Sequence, residues 1–168
     1  MFEHLKGFDV ILVSGPQRSG TTICSKMVAA DTGHTLIPES EFDFHDEALF
    51  RAIVTAGGKS VVHCPPMAHL LHEFADDDGV AIVFMVRDVR DIIASQERIN
   101  WTAKEEVREL AKYGAHYGPI SLVKYDYWSR VQRDRIPEGR RFEVEYESLS
   151  KHPLWEDRPG RGQFGYRP

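Results

Sequence analysis

The sequence predicts an α/β fold of three layers, a central parallel β-sheet flanked by helices. Three observations carry that prediction. Short β-branched apolar runs alternate with segments of helical periodicity along the chain. Two of those runs, Val10 to Val13 and Val80-Ala-Ile-Val-Phe-Met-Val86, are wholly apolar, as strands buried on both faces must be. The first of them enters a glycine-bounded turn, Ser14-Gly-Pro-Gln-Arg-Ser-Gly-Thr-Thr22, that opens a helix. At 168 residues the chain is long enough for a five-stranded sheet covered on both faces. With no internal repeat and no dividing linker, 1–168 reads as a single domain.

Taken in order, Phe8 to Ser14 is the first strand, and Ile23, Met27 and Val28 give Thr21 to about Ala30 a helical spacing that stops near Gly33. A short strand is expected at Thr35–Ile37, ended by Pro38. The acidic and aromatic stretch Glu39 to Asp46 leads into a helix of about Glu47 to Thr55, stopped by Gly57-Gly58. Lys59 to Cys64 is the third strand, closed by Pro65-Pro66, and Met67 to Phe74 a short helix. Val80 to Val86 is the strongest strand and is expected at the sheet centre. A helix begins near Ile92. Another, Thr102 to Tyr113, should carry Thr102 as N-cap with Glu105 as its capping-box partner. Ile120 to Gln132 is a further helix and Arg141 to Tyr146 the last strand. The tail, 151–168, holds three prolines and three glycines and should be largely irregular. In parallel sheets ligands sit beyond the carboxyl ends of the strands, here Ser14, Ile37, Cys64, Val86 and Tyr146.

The loop after the first strand has the chemistry of an anion site. Gly15 and Gly20 fit the G-x-x-x-x-G frame in which successive backbone N–H groups and a helix N-terminus converge on phosphate. The frame predicts a P-loop NTPase-like architecture, with one displacement. Thr21 stands where a triphosphate-binding loop carries lysine, and the cation is instead Arg18, inside the loop.

Bulk properties narrow the partners. A net charge of −5 argues against a general nucleic-acid binder, so an anionic ligand has to be held by local charge. Cys24 and Cys64 lack metal-ligand spacing and read as unpaired buried thiols of a reducing compartment. Residues 1–8 do not read as a signal peptide, and no run approaches the ~20 apolar residues of a membrane span. A soluble, cytoplasmic protein without nucleic-acid or membrane partners is expected.

Pro16-Gln17-Arg18-Ser19-Gly20-Thr21-Thr22 resembles the 5′-phosphosulfate-binding loop of sulfotransferases that use 3′-phosphoadenosine-5′-phosphosulfate (PAPS), in which Lys or Arg precedes Ser-Gly-Thr-Thr. A second stretch, Arg87-Asp-Val-Arg-Asp-Ile-Ile-Ala-Ser95, is similar to that family's 3′-phosphate signature, an Arg at a strand end followed eight residues later by Ser. Glu145-Tyr-Glu-Ser-Leu149 and the preceding Trp128 are a weaker match, so the resemblance runs over about residues 9 to 150. It implies sulfuryl transfer from PAPS to a hydroxyl or amine of a small-molecule or carbohydrate acceptor. It further implies 3′-phosphoadenosine-5′-phosphate as by-product, no required metal, and a monomer or weak homodimer. Arg18 and the loop amides would support the leaving phosphate and the sulfuryl group, with Arg87 and Ser95 on the 3′-phosphate.

For the catalytic base the resemblance leaves three candidates. Val61-Val-His63-Cys-Pro65 keeps the His and Pro of one branch of the family, with Val61 where a lysine is usual. Glu39-Ser-Glu41-Phe-Asp-Phe looks similar to the Glu-before-aromatics phrase of another, with Glu41 aligning best and Glu39 close by. A histidine needs little tuning, whereas a glutamate would need burial beside the acceptor. Three departures accompany the match. Ile23 stands where an adenine-stacking aromatic is common, the basic glycine loop near the C-terminus has only an echo in Arg158-Pro-Gly-Arg-Gly162, and the chain is short for the family. The stretch from Trp101 to Tyr117 is a candidate lid or acceptor wall. Two other readings stay open: a small-molecule or nucleotide kinase, with Asp88 as the carboxylate on the magnesium side, and a non-catalytic nucleotide-binding module. In either, Arg87 has the alternative of pairing with Asp88 or Asp91 on the surface.

Overall fold

The computed structural model describes residues 1–157. It contains one sheet of five parallel strands, β1 (Val10–Ser14), β2 (Thr35–Ile37), β3 (Ser60–His63), β4 (Val80–Val86) and β5 (Arg141–Glu145), in the order β2-β3-β1-β4-β5. The helices that pack around it are α1 (Thr21–Thr32), α2 (Glu47–Ala56), α3 (Val89–Arg98), α4 (Ala103–Ala111) and α5 (Ile120–Tyr127). The three-layer α/β architecture expected from the sequence is present.

Alternation along the inner strands builds the two layers of core. Val10, Leu12, Val62, Val80, Ile82 and Phe84 point to one face, where Phe50 and Val54 of α2 and Met67, Leu70 and Leu71 of the following turn cover them. Ile11, Val13, Val61, Val83 and Met85 point to the other, against Ile23, Cys24, Met27 and Val28 of α1 and against Phe2, Leu5 and Leu149. Every residue of β1 and β3 is buried, which is why the run Val10 to Val13 is apolar without alternation. Both cysteines are free and buried, as expected.

One expectation about the sheet needs correction. The middle strand is β1, not β4. An apolar run reports burial on both faces and says nothing of rank in the sheet. β4 is long because it serves two staggered neighbours, pairing Val80–Phe84 with β1 and Ile82–Val86 with β5.

Local chemistry explains the boundaries. Gly33 ends α1 in a left-handed conformation and returns its N–H to the Ala29 carbonyl. Asp46 caps α2 by accepting from the Leu49 N–H, and Asp88 caps α3 by accepting from the Arg90 N–H. Thr102 and Glu105 form the expected capping box at the start of α4. Two helices differ from expectation. The segment Pro65–Phe74 is a 3₁₀ helix, started by two prolines in its first turn. The expected helix from Ile120 to Gln132 is α-helical only to Tyr127 and continues as a π turn over Trp128–Gln132. There Ser129 Oγ donates back to the Tyr125 carbonyl at 2.8 Å. In the same turn Trp128 stacks on Phe84, centroids 4.2 Å apart, and donates from its indole to Glu143 at 2.7 Å. The tail forms a 3₁₀ turn over Pro153–Asp157, and Arg158 to Gly162 lie outside the described residues.

Candidate functional site

The loop from Gly15 to Gly20 is fixed at both ends by close backbone approach. A side chain at Gly15, φ +138°, would meet the Met85 carbonyl at 3.0 Å, and one at Gly20, φ +97°, would clash with the Tyr146 ring. Arg18 takes a left-handed φ of +73°, a conformation a non-glycine residue adopts only when its surroundings impose it. Ser19 closes the turn on itself, its amide and hydroxyl both donating to the Pro16 carbonyl. At the loop's start Ser14 Oγ donates to the Cys64 carbonyl at 3.0 Å, tying the end of β1 to the end of β3. Gly20 then caps α1 with no side chain to satisfy the first turn, which contains no carboxylate either. Its leading N–H groups are left for an acceptor from outside the helix.

Two of the sequence motifs meet beside this loop. Arg18 Nε donates to Ser95 Oγ at 3.1 Å across 77 residues of sequence. Arg87 Nη1 donates to the Arg18 carbonyl at 2.9 Å, while its guanidinium lies 4.1 Å over the Tyr146 ring. The surface pairing of Arg87 with Asp88 or Asp91 is not what the structure shows, because Asp88 binds Arg90 and its N–H instead. Tyr125 Oη both accepts from the Arg87 N–H and donates to the Arg87 carbonyl, which pins this strand end. Together Arg18, Thr21, Thr22, Arg87 and Ser95 line a cleft of about 70 Å³, walled by Gly20, Ile23 and Tyr146. Arg87 Nε is buried there without a partner, an unsatisfied cationic donor.

On the other side of the loop is an open groove of about 570 Å³. Gln17 of the loop, Glu39 and Pro66 line it, facing Trp101, Glu105, Arg108 and Glu109, and Asp43, Phe44 and His45 complete the lining. The stretch from Trp101 onward therefore does form one wall of a cavity at the strand ends.

The three candidate bases separate clearly. Glu41 is exposed and contributes to neither cavity. Glu39 lines the groove with only 26% of its side chain exposed, and its Oε2 is buried without a hydrogen-bond partner. Burial pushes the Glu39 carboxyl up to about 7, with Lys124 and Lys112 restraining the rise and Glu109 adding to it. His63 is buried at the end of β3, its Nδ1 3.9 Å from Glu39 Oε2 and its Nε2 3.0 Å from Thr21 Oγ1. Burial pushes the ring down to about 4, so it is neutral at physiological pH.

Sequence reasoning missed the floor of the groove. Lys124 on α5 is wholly buried and donates to Gln17 Oε1 at 2.5 Å and to the Pro65 carbonyl at 2.9 Å. It also pairs with Glu109 Oε2 at 2.9 Å. Glu109 in turn holds Lys112 at 2.9 Å and accepts from Gln17 Nε2 at 3.1 Å. Burial opposes ionisation of Glu109, but the two lysines outweigh it and hold the carboxyl at about 2. The signal was present: Ile120, Lys124 and Trp128 follow at i, i+4 and i+8, which places a lysine on the face that α5 buries. Tyr146 was noted only as part of a weak match, and its wall position depends on Gly20 having no side chain.

Fold and site together define a class: a three-layer α/β domain whose β1 and β4 ends bring a glycine-bounded loop, two arginines and a buried serine to one small cleft. Neither a scan against protein-family models nor a search of curated proteins returns a match for the chain. Among the described residues no helix is long and apolar enough to cross a membrane.

Proposed function

We propose that the protein is a PAPS-dependent sulfotransferase acting on a hydroxyl or amine acceptor. One observation carries the reading: residues of two motifs far apart in sequence, Arg18 and the pair Arg87 and Ser95, line a single cleft at the loop and the N-terminus of α1. The residues present suit a bis-anionic nucleotide. Arg87 Nε is a buried donor without a partner, the uncapped first turn of α1 faces the cleft through Thr21 and Thr22, and no carboxylate among the described residues lines it. PAPS, when bound, supplies an activated sulfuryl group on its 5′-phosphate.

The chain's own residues then divide the work. The amides at the start of α1 and Arg18 stabilise charge on the 5′ side, and Arg87 with Ser95 recognises the 3′-phosphate. The groove receives the acceptor. Glu39, in the groove wall and raised towards neutrality by burial, removes the acceptor proton; the exposed Glu41 is set aside for that role. The competing kinase reading is disfavoured by Asp88, whose carboxylate is occupied as the cap of α3 and as the partner of Arg90.

Calorimetric titration with 3′-phosphoadenosine-5′-phosphate and, separately, with ATP and magnesium tests the reading. Metal-free binding of the bisphosphate in preference to magnesium-ATP is expected. Preference for magnesium-ATP, or binding of neither, would overturn it.

A further inference from the structure

Glu39 and His63 enter the sequence as competing candidates for one role, yet the structure sets them in series. Glu39 lines the acceptor-side groove and turns its buried, unpartnered Oε2 towards His63 Nδ1, 3.9 Å away. The opposite ring nitrogen, Nε2, lies 3.0 Å from Thr21 Oγ1. Thr21 opens α1 and lines the small cleft on the far side of the loop. These three side chains therefore span the wall between the two cavities, and His63 in the middle is only 7% exposed. Resting on the sulfotransferase reading, we propose that Glu39, His63 and Thr21 form a proton path from the groove to the cleft, so that the proton taken from the acceptor is delivered to the departing phosphate.

The step balances. The acceptor O–H bond breaks towards a Glu39 oxygen as the acceptor oxygen bonds to sulfur and the bond from sulfur to the phosphate oxygen breaks. Glu39 gives its proton to His63 Nδ1 and returns to carboxylate. Nε2 releases its own proton to Thr21 Oγ, and the original hydroxyl proton of Thr21 passes to the phosphate oxygen that kept the electron pair. The ring starts as the Nε2–H tautomer and ends as the Nδ1–H tautomer, neutral throughout, so no buried imidazolium has to form. In the free protein Nε2–H has Thr21 Oγ1 as acceptor, whereas an Nδ1–H would find Glu39 beyond hydrogen-bond reach. Rotation of the Glu39 carboxyl closes that gap, the kind of tightening expected on forming a productive complex.

The charges facing the path favour transfer in this direction. Lys124 of α5 and Lys112 beyond α4 act on Glu39 together with Glu109 between them, and the two cations draw Glu39 towards its ionised form. Among the described residues the titratable group paired with His63 is Glu39. Asp43, His45, Glu105 and Arg108 also line the groove.

Nitrogen-15 NMR of the His63 ring, assigned with a His63→Gln control, tests the path at pH 6 with and without saturating 3′-phosphoadenosine-5′-phosphate. The free protein should show protonated Nε2 and bare Nδ1. The complex, which reproduces the product side of the relay, should show the reverse. Thr21→Ser should preserve the switch and Thr21→Val abolish it. The same tautomer in free and bound wild type, an imidazolium, or an unchanged switch in Thr21→Val would overturn the path. Calorimetry on the same samples separates the two failures. Binding without a tautomer change sinks the path alone, and absence of binding removes the sulfotransferase reading and the path with it.

Discussion

Replacing Arg87 by alanine tests the proposed nucleotide recognition separately from loop architecture. In the free protein Arg87 makes one hydrogen bond to the Arg18 carbonyl at 2.9 Å and rests on the Tyr146 ring at 4.1 Å. Losing the hydrogen bond should cost ~1–3 kcal/mol, and losing the ring contact ~0.5–1 kcal/mol at this half-buried position. For a chain of this size each kcal/mol lowers the melting temperature by ~2–4 °C, so the variant remains folded at 25 °C. The cost in binding is separate. A phosphate that reaches the Arg87 guanidinium, which lines the cleft, gains at least one charge-assisted hydrogen bond worth ~1.5–3 kcal/mol. That corresponds to ~10- to 150-fold in affinity. The assay is a calorimetric comparison of 3′-phosphoadenosine-5′-phosphate with ADP, which lacks the 3′-phosphate. Arg87→Ala should weaken the bisphosphate by that factor and ADP by no more than a few-fold. An equal loss for both ligands would refute the reasoning, because it would mean that Arg87 acts by holding the Arg18 carbonyl and not by touching the 3′-phosphate.

Two further outcomes follow from the buried charges. Lys124→Met removes one partner of the Glu109 pair and leaves Gln17 without its donor. Destabilisation of ~3–5 kcal/mol is expected in urea unfolding, partly recovered by adding Glu109→Gln, and a change below 1 kcal/mol would mean the network is not structural. Glu39 has the opposite sign to a paired carboxylate: its pKa is raised in the fold, from 4.5 to about 7. The wild type is therefore undisturbed below pH 4.5 and progressively loses stability as pH rises to 7, where the ionised side chain must be buried. Glu39→Gln should be isostable with wild type at pH 4.5 and more stable at pH 8. A pH-independent difference in melting temperature would contradict the assigned burial.

The sequence made the sheet legible because its strands are short apolar runs separated by glycines and prolines, and the capping box at Thr102 and Glu105 follows a purely local rule. Strand order was less legible, since β4 advertises its burial more strongly than β1 does while β1 holds the middle. The small cleft was readable because Arg87 and Ser95 sit one strand end and two helical turns apart, a relation fixed by local geometry. The groove floor was not. Lys124 finds Glu109 and Gln17 across three separate elements, and its charge hid the fact that it occupies an apolar position. The choice among Glu39, Glu41 and His63 depended on a 3₁₀ turn over Glu39–Phe42. Phe42 is drawn into the core and Glu39 turns inward, leaving Glu41 outside.

The ionic floor and the orphaned carboxyl are two parts of one arrangement. A lone glutamate buried beside apolar surface would be fully protonated at neutral pH and useless as a base. A glutamate paired directly with lysine would be fully ionised and too weak a base. Glu39 avoids both limits because Glu109, not Glu39, takes the direct contacts with Lys124 and Lys112. The two lysines together carry one positive charge more than Glu109 neutralises, and that excess reaches Glu39 through space, opposing the burial that raises it. The same lysine holds Gln17 of the loop. Lys124 thus ties the position of the loop after β1 to the proton affinity of the groove carboxyl, and removing its charge should push Glu39 above 7 while loosening the loop. Those two consequences distinguish Lys124 from an ordinary buried ion pair.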